Sequence, residues 1–201
     1  MTADFVLVAD IGGTNARFAL ARRDGDAILM SDMQRFRAEE FKSLRDAAIA
    51  YLKTIAVKPN AACFAVAGPV TDAVIDFTNS PWALDVAEIK TALRLNTLRV
   101  VNDFEALAHG VRRLGKADFQ SVRPGNGDPS APVLVLGPGT GFGQAIIVPV
   151  VGGDKIIATE GGHVAFAPRT DDELEILRII AREHPRVSLE RVLSGPGLIS
   201  I

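Results

Sequence analysis

The sequence predicts a mixed α/β protein, and three observations carry that prediction. Apolar runs come first as hairpins and then alternate with helical periodicities, the order that builds a mixed sheet with flanking helices. Two strand–glycine turn–strand units occur, one around Gly12-Gly13 and one over residues 137–143. Finally, Val100-Val101-Asn102-Asp103-Phe104-Glu105-Ala106-Leu107 reads as a strand passing at once into a helix.

This last stretch organises the rest. Asn102 is a favoured N-cap, and Glu105, three residues on, is placed to reach back to the Asn102 N–H. Phe104, Leu107, Ala108, Val111 and Leu114 make the apolar face, with Gly115 as the stop. Asp103 is therefore expected in a first helical turn at the carboxyl end of a strand, where open α/β sheets bind ligands. Its structural alternative is an acid that complements the helix dipole.

From the N-terminus, residues 5–9 form a nearly continuous apolar run, a buried strand, and residues 17–21 resume an extended pattern. The turn between them, Asp10-Ile11-Gly12-Gly13-Thr14-Asn15, is a hairpin signal. Its two glycines let the backbone approach an anion, and the glycine N–H groups with the Thr14 and Asn15 donors can surround phosphate oxygens. Asp10 offers a carboxylate to a hydrated magnesium ion there. A plain tight turn is the alternative. Residues 27–30 make a third strand, and Phe41, Leu44, Ala48, Tyr51, Leu52 and Ile55 recur at helical spacing before Pro59. Residues 62–67 and 70–77 read as strands, 78–82 as a loop, and Asp85 with Glu88 opens a short helix carrying Val86, Ile89 and Leu93. Residues 98–101 are the strand that delivers Asp103.

Beyond Gly115 the turn-rich stretch 124–130 marks the neighbourhood of a domain boundary. The expected division is 1–112 for a small α/β domain and 113–201 for the first part of a larger one. Residues 132–136, the glycine turn with Gly139, Thr140 and Gly141, and residues 145–151 form the second hairpin unit. Neither glycine turn is a Walker loop, because no Gly-Lys-Ser/Thr follows, and neither opens a helix as a dinucleotide fingerprint requires. Glu160-Gly161-Gly162-His163 follows a strand and displays an acid and an imidazole; no cysteine cluster accompanies it, so hydrogen bonding to a polyol is the functional reading and a structural turn the other. Thr170 and Glu173 make a capping box for a helix with Leu174, Leu177, Ile180 and Ala181. A short helical segment with Glu190 comes last, before Ser194-Gly195-Pro196-Gly197.

Composition excludes several classes. A net charge of −2 gives no basic face for nucleic acid or a membrane surface. No apolar run reaches about 18 residues. The one cysteine, Cys63, lies in an apolar run and reads as a buried core thiol, which fits a reducing compartment and a cytoplasmic setting.

Asp10-Ile11-Gly12-Gly13-Thr14-Asn15-Ala16-Arg17, Asn102-Asp103-Phe104, the glycine turn at 137–143, Glu160-Gly161-Gly162-His163 and Glu190-Arg191-Val192-Leu193-Ser194-Gly195-Pro196-Gly197 together resemble the bacterial glucokinase family, in order and in spacing. The resemblance implies an actin-like ATPase (ribonuclease H-like) fold of two α/β domains closing over a cleft. It implies phosphoryl transfer from MgATP to the 6-hydroxyl of glucose, with ATP and Mg2+ as cofactors and a homodimer as a candidate assembly. Asp103 is then the catalytic base and Asn102 its sugar-binding neighbour; Glu160, His163 and Glu190 complete the hydroxyl-binding set. Asp10, Gly12, Gly13, Thr14 and Asn15, with Gly139, Thr140 and Gly141, are then the phosphate loops, Asp10 holding magnesium through water. Family members continue past Gly197 into an adenosine-binding motif and a returning helix. The expectation is thus a truncated chain with its second domain incomplete, and one alternative to the kinase is a catalytically impaired sugar-binding fragment. A sugar-responsive regulator is the remaining alternative; it would call for a DNA-binding head.

Overall fold

The structure, a computed structural model, describes residues 5–70, 74–76 and 82–201. The chain divides into two compact units, Met1–Ala106 and Leu107–Ile201.

The first unit is built on β1 (Val6–Ile11), β2 (Asn15–Asp24), β3 (Ala27–Arg37), α1 (Leu44–Thr54), β4 (Ala61–Val66), β5 (Val74–Asp76), β6 (Ala83–Asp85), α2 (Val86–Ala92) and β7 (Thr97–Asn102), after which α3 (Asp103–Val111) begins. Five strands form one sheet in the order β3-β2-β1-β4-β7. The hairpin strands β1, β2 and β3 pair antiparallel, while β4 lies parallel to β1 and β7 parallel to β4. Parallel neighbours need crossover connections, which the segments containing α1 and α2 provide.

Burial alternates as a sheet with one well-covered face requires. In β4, Ala62, Phe64 and Val66 are buried while Ala61, Cys63 and Ala65 are half-covered. The covered face meets α1, whose Ser43 cap accepts the Asp46 N–H at 3.1 Å. Phe18 stacks on Tyr51 with centroids 5.4 Å apart and meets Phe36 and Phe64 edge-on, geometries that aromatic quadrupoles favour. Asp85 caps α2 through the Ala87 and Glu88 amides.

Three readings are corrected in this unit. The third strand runs on to Arg37, because a register shift opposite Phe18 and Leu20, with Asp32 at φ 53°, absorbs a bulge and lets the polar stretch keep pairing. Cys63 faces away from the core, opposite Arg99 in the register; burial raises the thiol pKa, Arg99 opposes that and Glu105 adds to it. The third helix ends at Val111, so Leu114 and Gly115 lie beyond it, and of the expected apolar face Ala108 alone is buried while Leu107 is exposed. Of the strand expected at 70–77, β5 is described; residues 71–73 and 77–81, with most of the loop expected at 78–82, lie outside the described residues.

In the second unit, β8 (Val133–Pro138), β9 (Phe142–Val150) and β10 (Gly153–Thr159) form an antiparallel sheet in the order β10-β9-β8. The helices α4 (Asp171–Ala181), α5 (Leu189–Leu193) and α6 (Gly195–Ser200) follow. The Thr170–Glu173 capping box forms as expected, and Ile180, Val187 and Val192 pack with Phe166, Ile176 and Leu177. Helix α6 was not anticipated, although its signals stand in the sequence: Ser194 accepts the Gly197 N–H at 3.1 Å, and a proline follows in the first turn. Among the described residues no helix is long and apolar enough to cross a membrane.

Candidate functional site

In the first unit the candidate site residues lie at the carboxyl ends of three parallel strands. Asp10 is level with Ala65, and Val66 with Asn102, so the ends of β1, β4 and β7 lie side by side. With neighbouring strands about 4.8 Å apart, β1 and β7 stand about 10 Å from each other. Asn102 turns the chain from strand to helix. Its Oδ1 accepts the Phe104 N–H at 2.9 Å and the Glu105 N–H at 3.2 Å, and its Nδ2 donates to the Gly68 carbonyl at 3.0 Å. That single amide fixes the direction in which α3 leaves β7 and, with it, the position of half-buried Asp103. The reciprocal half of the expected box is absent: the Glu105 carboxylate pairs with Arg99 Nη2 at 3.2 Å.

The first glycine hairpin closes on itself. Gly12 donates its N–H to the Asn15 carbonyl at 2.9 Å, and the Thr14 carbonyl accepts from Ala38 at 2.9 Å. The Gly12 amide is thus committed inward, and the amides of Gly13 and Thr14 are the ones left without a hydrogen bond among the described residues. Asn15 Oδ1 accepts from Arg35 Nε at 2.9 Å. Asp10 sits opposite Arg17 across the β1–β2 pair and bonds it at 2.7 Å, with both side chains about half exposed.

The second hairpin repeats the device. Gly139 donates to the Gly141 carbonyl at 2.7 Å, leaving the Thr140 and Gly141 amides unengaged among the described residues. Strand β9 starts at Phe142, three residues earlier than expected, so the turn is as short as residues 139–141. Phe142 is where Glu190 and the Gly161–His163 turn meet β9. Its N–H donates to Glu190 Oε2 at 2.9 Å. Its carbonyl lies against Gly162 so closely that a Cβ there would collide with it, and a Cβ on Gly161 would collide with the Gln144 side chain. The Gly161–His163 turn can therefore pack on β9 in this way only with glycine at position 162, whereas at position 161 the flexible Gln144 side chain would have to swing aside. This gives Gly162 a packing reason, while Glu160 and His163 remain displayed, 3.7 Å apart and more than half exposed. Glu190 also lines a cleft of about 350 Å³ with Thr140, His184, Arg191, Ser194 and Ser200.

These arrangements define a class of protein: an α/β chain of the actin-like ATPase fold, with a glycine hairpin and a set of acids in each unit. The comparisons take the assignment further. The family model described as Glucokinase matches residues 7–201. The glucokinase of Marinobacter nauticus is 39% identical over 203 residues, an alignment covering 100% of this chain and 63% of that protein. Among solved structures, glucokinase from an Antarctic psychrotroph superposes with a TM-score of 0.82 at 40% identity, covering 98% of this chain and 62% of that one. Glucokinase from Balamuthia mandrillaris in complex with glucose follows at 0.74 and 26%, covering 98% and 61%. This chain belongs to the glucokinase family, and it spans about three-fifths of the length of the relatives it matches.

Proposed function

We propose that this chain serves phosphoryl transfer from MgATP to the 6-hydroxyl of glucose, giving glucose 6-phosphate. The observation that carries the reading is the placement of Asp103 by Asn102 at the carboxyl end of β7, on the same sheet rim as the Gly12–Gly13 turn. The glucose complex of the Balamuthia mandrillaris relative supports the sugar. Asp103 takes the hydroxyl proton as the oxygen attacks the γ-phosphoryl group. Phosphoryl transfer through a loose transition state asks the protein mainly for positioning and charge stabilisation, so an ordinary carboxylate suffices. Asn102, Glu160, His163 and Glu190 are assigned to the sugar hydroxyls, and the unengaged amides of Gly13, Thr14, Thr140 and Gly141 to the phosphates.

The donor set fits a magnesium ion carried on the nucleotide. Among the described residues no three His, Cys, Asp or Glu side chains gather around a point, so no all-protein cage is present. Magnesium keeps most of its waters and takes one or two carboxylates beside phosphate oxygens. Asp10, half exposed and held by Arg17, suits that outer role. The single cysteine, which permits no disulfide framework within the chain, supports a cytoplasmic setting.

The test is glucose phosphorylation by the chain extended to the length of its relatives and by the Asp103→Asn variant of that extended chain. Turnover falls at least about a hundredfold in the variant, the range of a general base. Glucose binding by calorimetry persists, because an amide still bonds the hydroxyl. Near-normal turnover would remove Asp103 from the role of base.

A further inference from the structure

We infer that Glu190 is a positioning residue for the second glycine hairpin, so that one carboxylate ties the hairpin to the hydroxyl-binding set. The sugar half of this inference rests on the proposed phosphoryl-transfer reading; the hairpin half rests on geometry alone. Glu190 stands in the first turn of α5, and its Oε2 accepts the Phe142 N–H at 2.9 Å across 48 residues of sequence. A Cβ on Gly141 would collide with that same oxygen and lie 3.2 Å from the carboxyl carbon, whereas Oε1 would be 3.9 Å away. The carboxylate therefore fills the space that a missing side chain leaves. Oε2 is committed to the hairpin, and Oε1 is the oxygen left for a hydroxyl.

A carboxylate on a backbone N–H makes a charge-assisted bond, roughly twice as strong as a neutral one. The other end of the turn is held too: the Gly139 carbonyl accepts the N–H of Gly195, the first residue of α6, at 2.8 Å. The turn bearing the unengaged Thr140 and Gly141 amides is thus gripped by two consecutive helices. A change in this hairpin that touches no sugar must then disturb sugar binding through Glu190. A glutamate acting on hydroxyls alone would give no such effect.

The experiment has two arms. Amide exchange followed by NMR compares the chain with Glu190→Ala, Glu190→Gln and Glu190→Asp. Phe142 exchange rises at least about tenfold in Glu190→Ala, the loss expected for a charge-assisted bond, while Ile147 in the middle of β9 is unchanged. Glu190→Gln keeps an acceptor and recovers most of the protection; Glu190→Asp keeps the charge but falls short and does not. Calorimetry then compares glucose binding. Gly141→Ala weakens it at least about fivefold, and the Gly141→Ala/Glu190→Ala pair is no weaker than Glu190→Ala alone, the non-additivity of residues in one network. Unchanged Phe142 exchange in Glu190→Ala, or additive losses in the pair, overturns the inference. A wild-type chain that binds no glucose overturns the phosphoryl-transfer reading and the coupling with it. Phe142 exchange then decides the hairpin contact by itself, so the two failures are told apart.

Discussion

Tyr51 shows how one residue sets a condition on the first unit. Its ring is fully buried against Phe18 and Phe36, and its hydroxyl has no hydrogen-bond partner among the described residues. A buried unpaired hydroxyl costs desolvation energy that nothing returns. Burial, helped by the negative charge of Asp32, pushes the phenol pKa from 10.0 up to about 12. Between those values the unfolded chain has released the proton and the folded chain still holds it. Stability is therefore fully present below about pH 10 and is lost as pH rises towards about 12. Tyr51→Phe removes both effects. Its unfolding free energy at neutral pH should be about 1 kcal/mol higher than wild type, and the difference should widen through the alkaline window. Urea titrations at pH 8 and pH 11 check this; an equal or lower stability for Tyr51→Phe at both would show that the hydroxyl is satisfied.

At the scale of elements, the Gly161–His163 turn and β9 make the sharpest case. Gly162 is buried with the Phe142 carbonyl where its Cβ would be, and backbone cannot swing aside as a flexible side chain can. Gly162→Ala should destabilise the second unit by about 3 kcal/mol or more, the size reserved for steric conflict in a packed site. Gly110→Ala, a helical position where nothing lies within 4 Å of the added Cβ, is the control and should leave stability unchanged or raise it by up to about 1 kcal/mol. Equal midpoints for the two variants in urea would refute the packing argument. The elements also show what sequence alone can carry. Short-range signals were legible: the Asp85 and Asn102 caps, the Thr170–Glu173 box and both glycine hairpins depend on residues within four positions of each other. Contacts that depend on distant partners were not. Nothing local tells that Glu190 bonds Phe142 across 48 residues, or that β3 continues past a bulge set by its pairing with β2. The candidate site residues rest on motif, while the packing reason for Gly162 appears only with β9 beside it.

At the scale of the whole molecule, the two units bury their apolar residues very differently. In the first, Leu7, Ile11, Phe18, Leu20, Leu44, Tyr51, Phe64, Val66, Leu84 and Ile89 are all at most 2% exposed. In the second, only Ala108, Ala145 and Ile147 among the described apolar residues are fully covered, while Leu134, Leu136, Ile157, Leu198 and Ile199 are each more than 40% exposed. Local opening is governed by how much apolar contact a segment loses, so protection against exchange should follow this division. Amides in the centres of β1, β2 and β4 should exchange at least about a hundredfold more slowly than those in the centres of β8 and β10, a difference of about 2.7 kcal/mol in opening free energy. The exposed apolar residues of β8 and of α6 should also promote association as concentration rises, since exposed apolar surface seeks a partner. Association would slow exchange in the second unit first, so the measurement belongs at two protein concentrations. Uniform protection across β1, β4, β8 and β10 at the lower concentration would mean that the second unit is stabilised by something other than its own buried core.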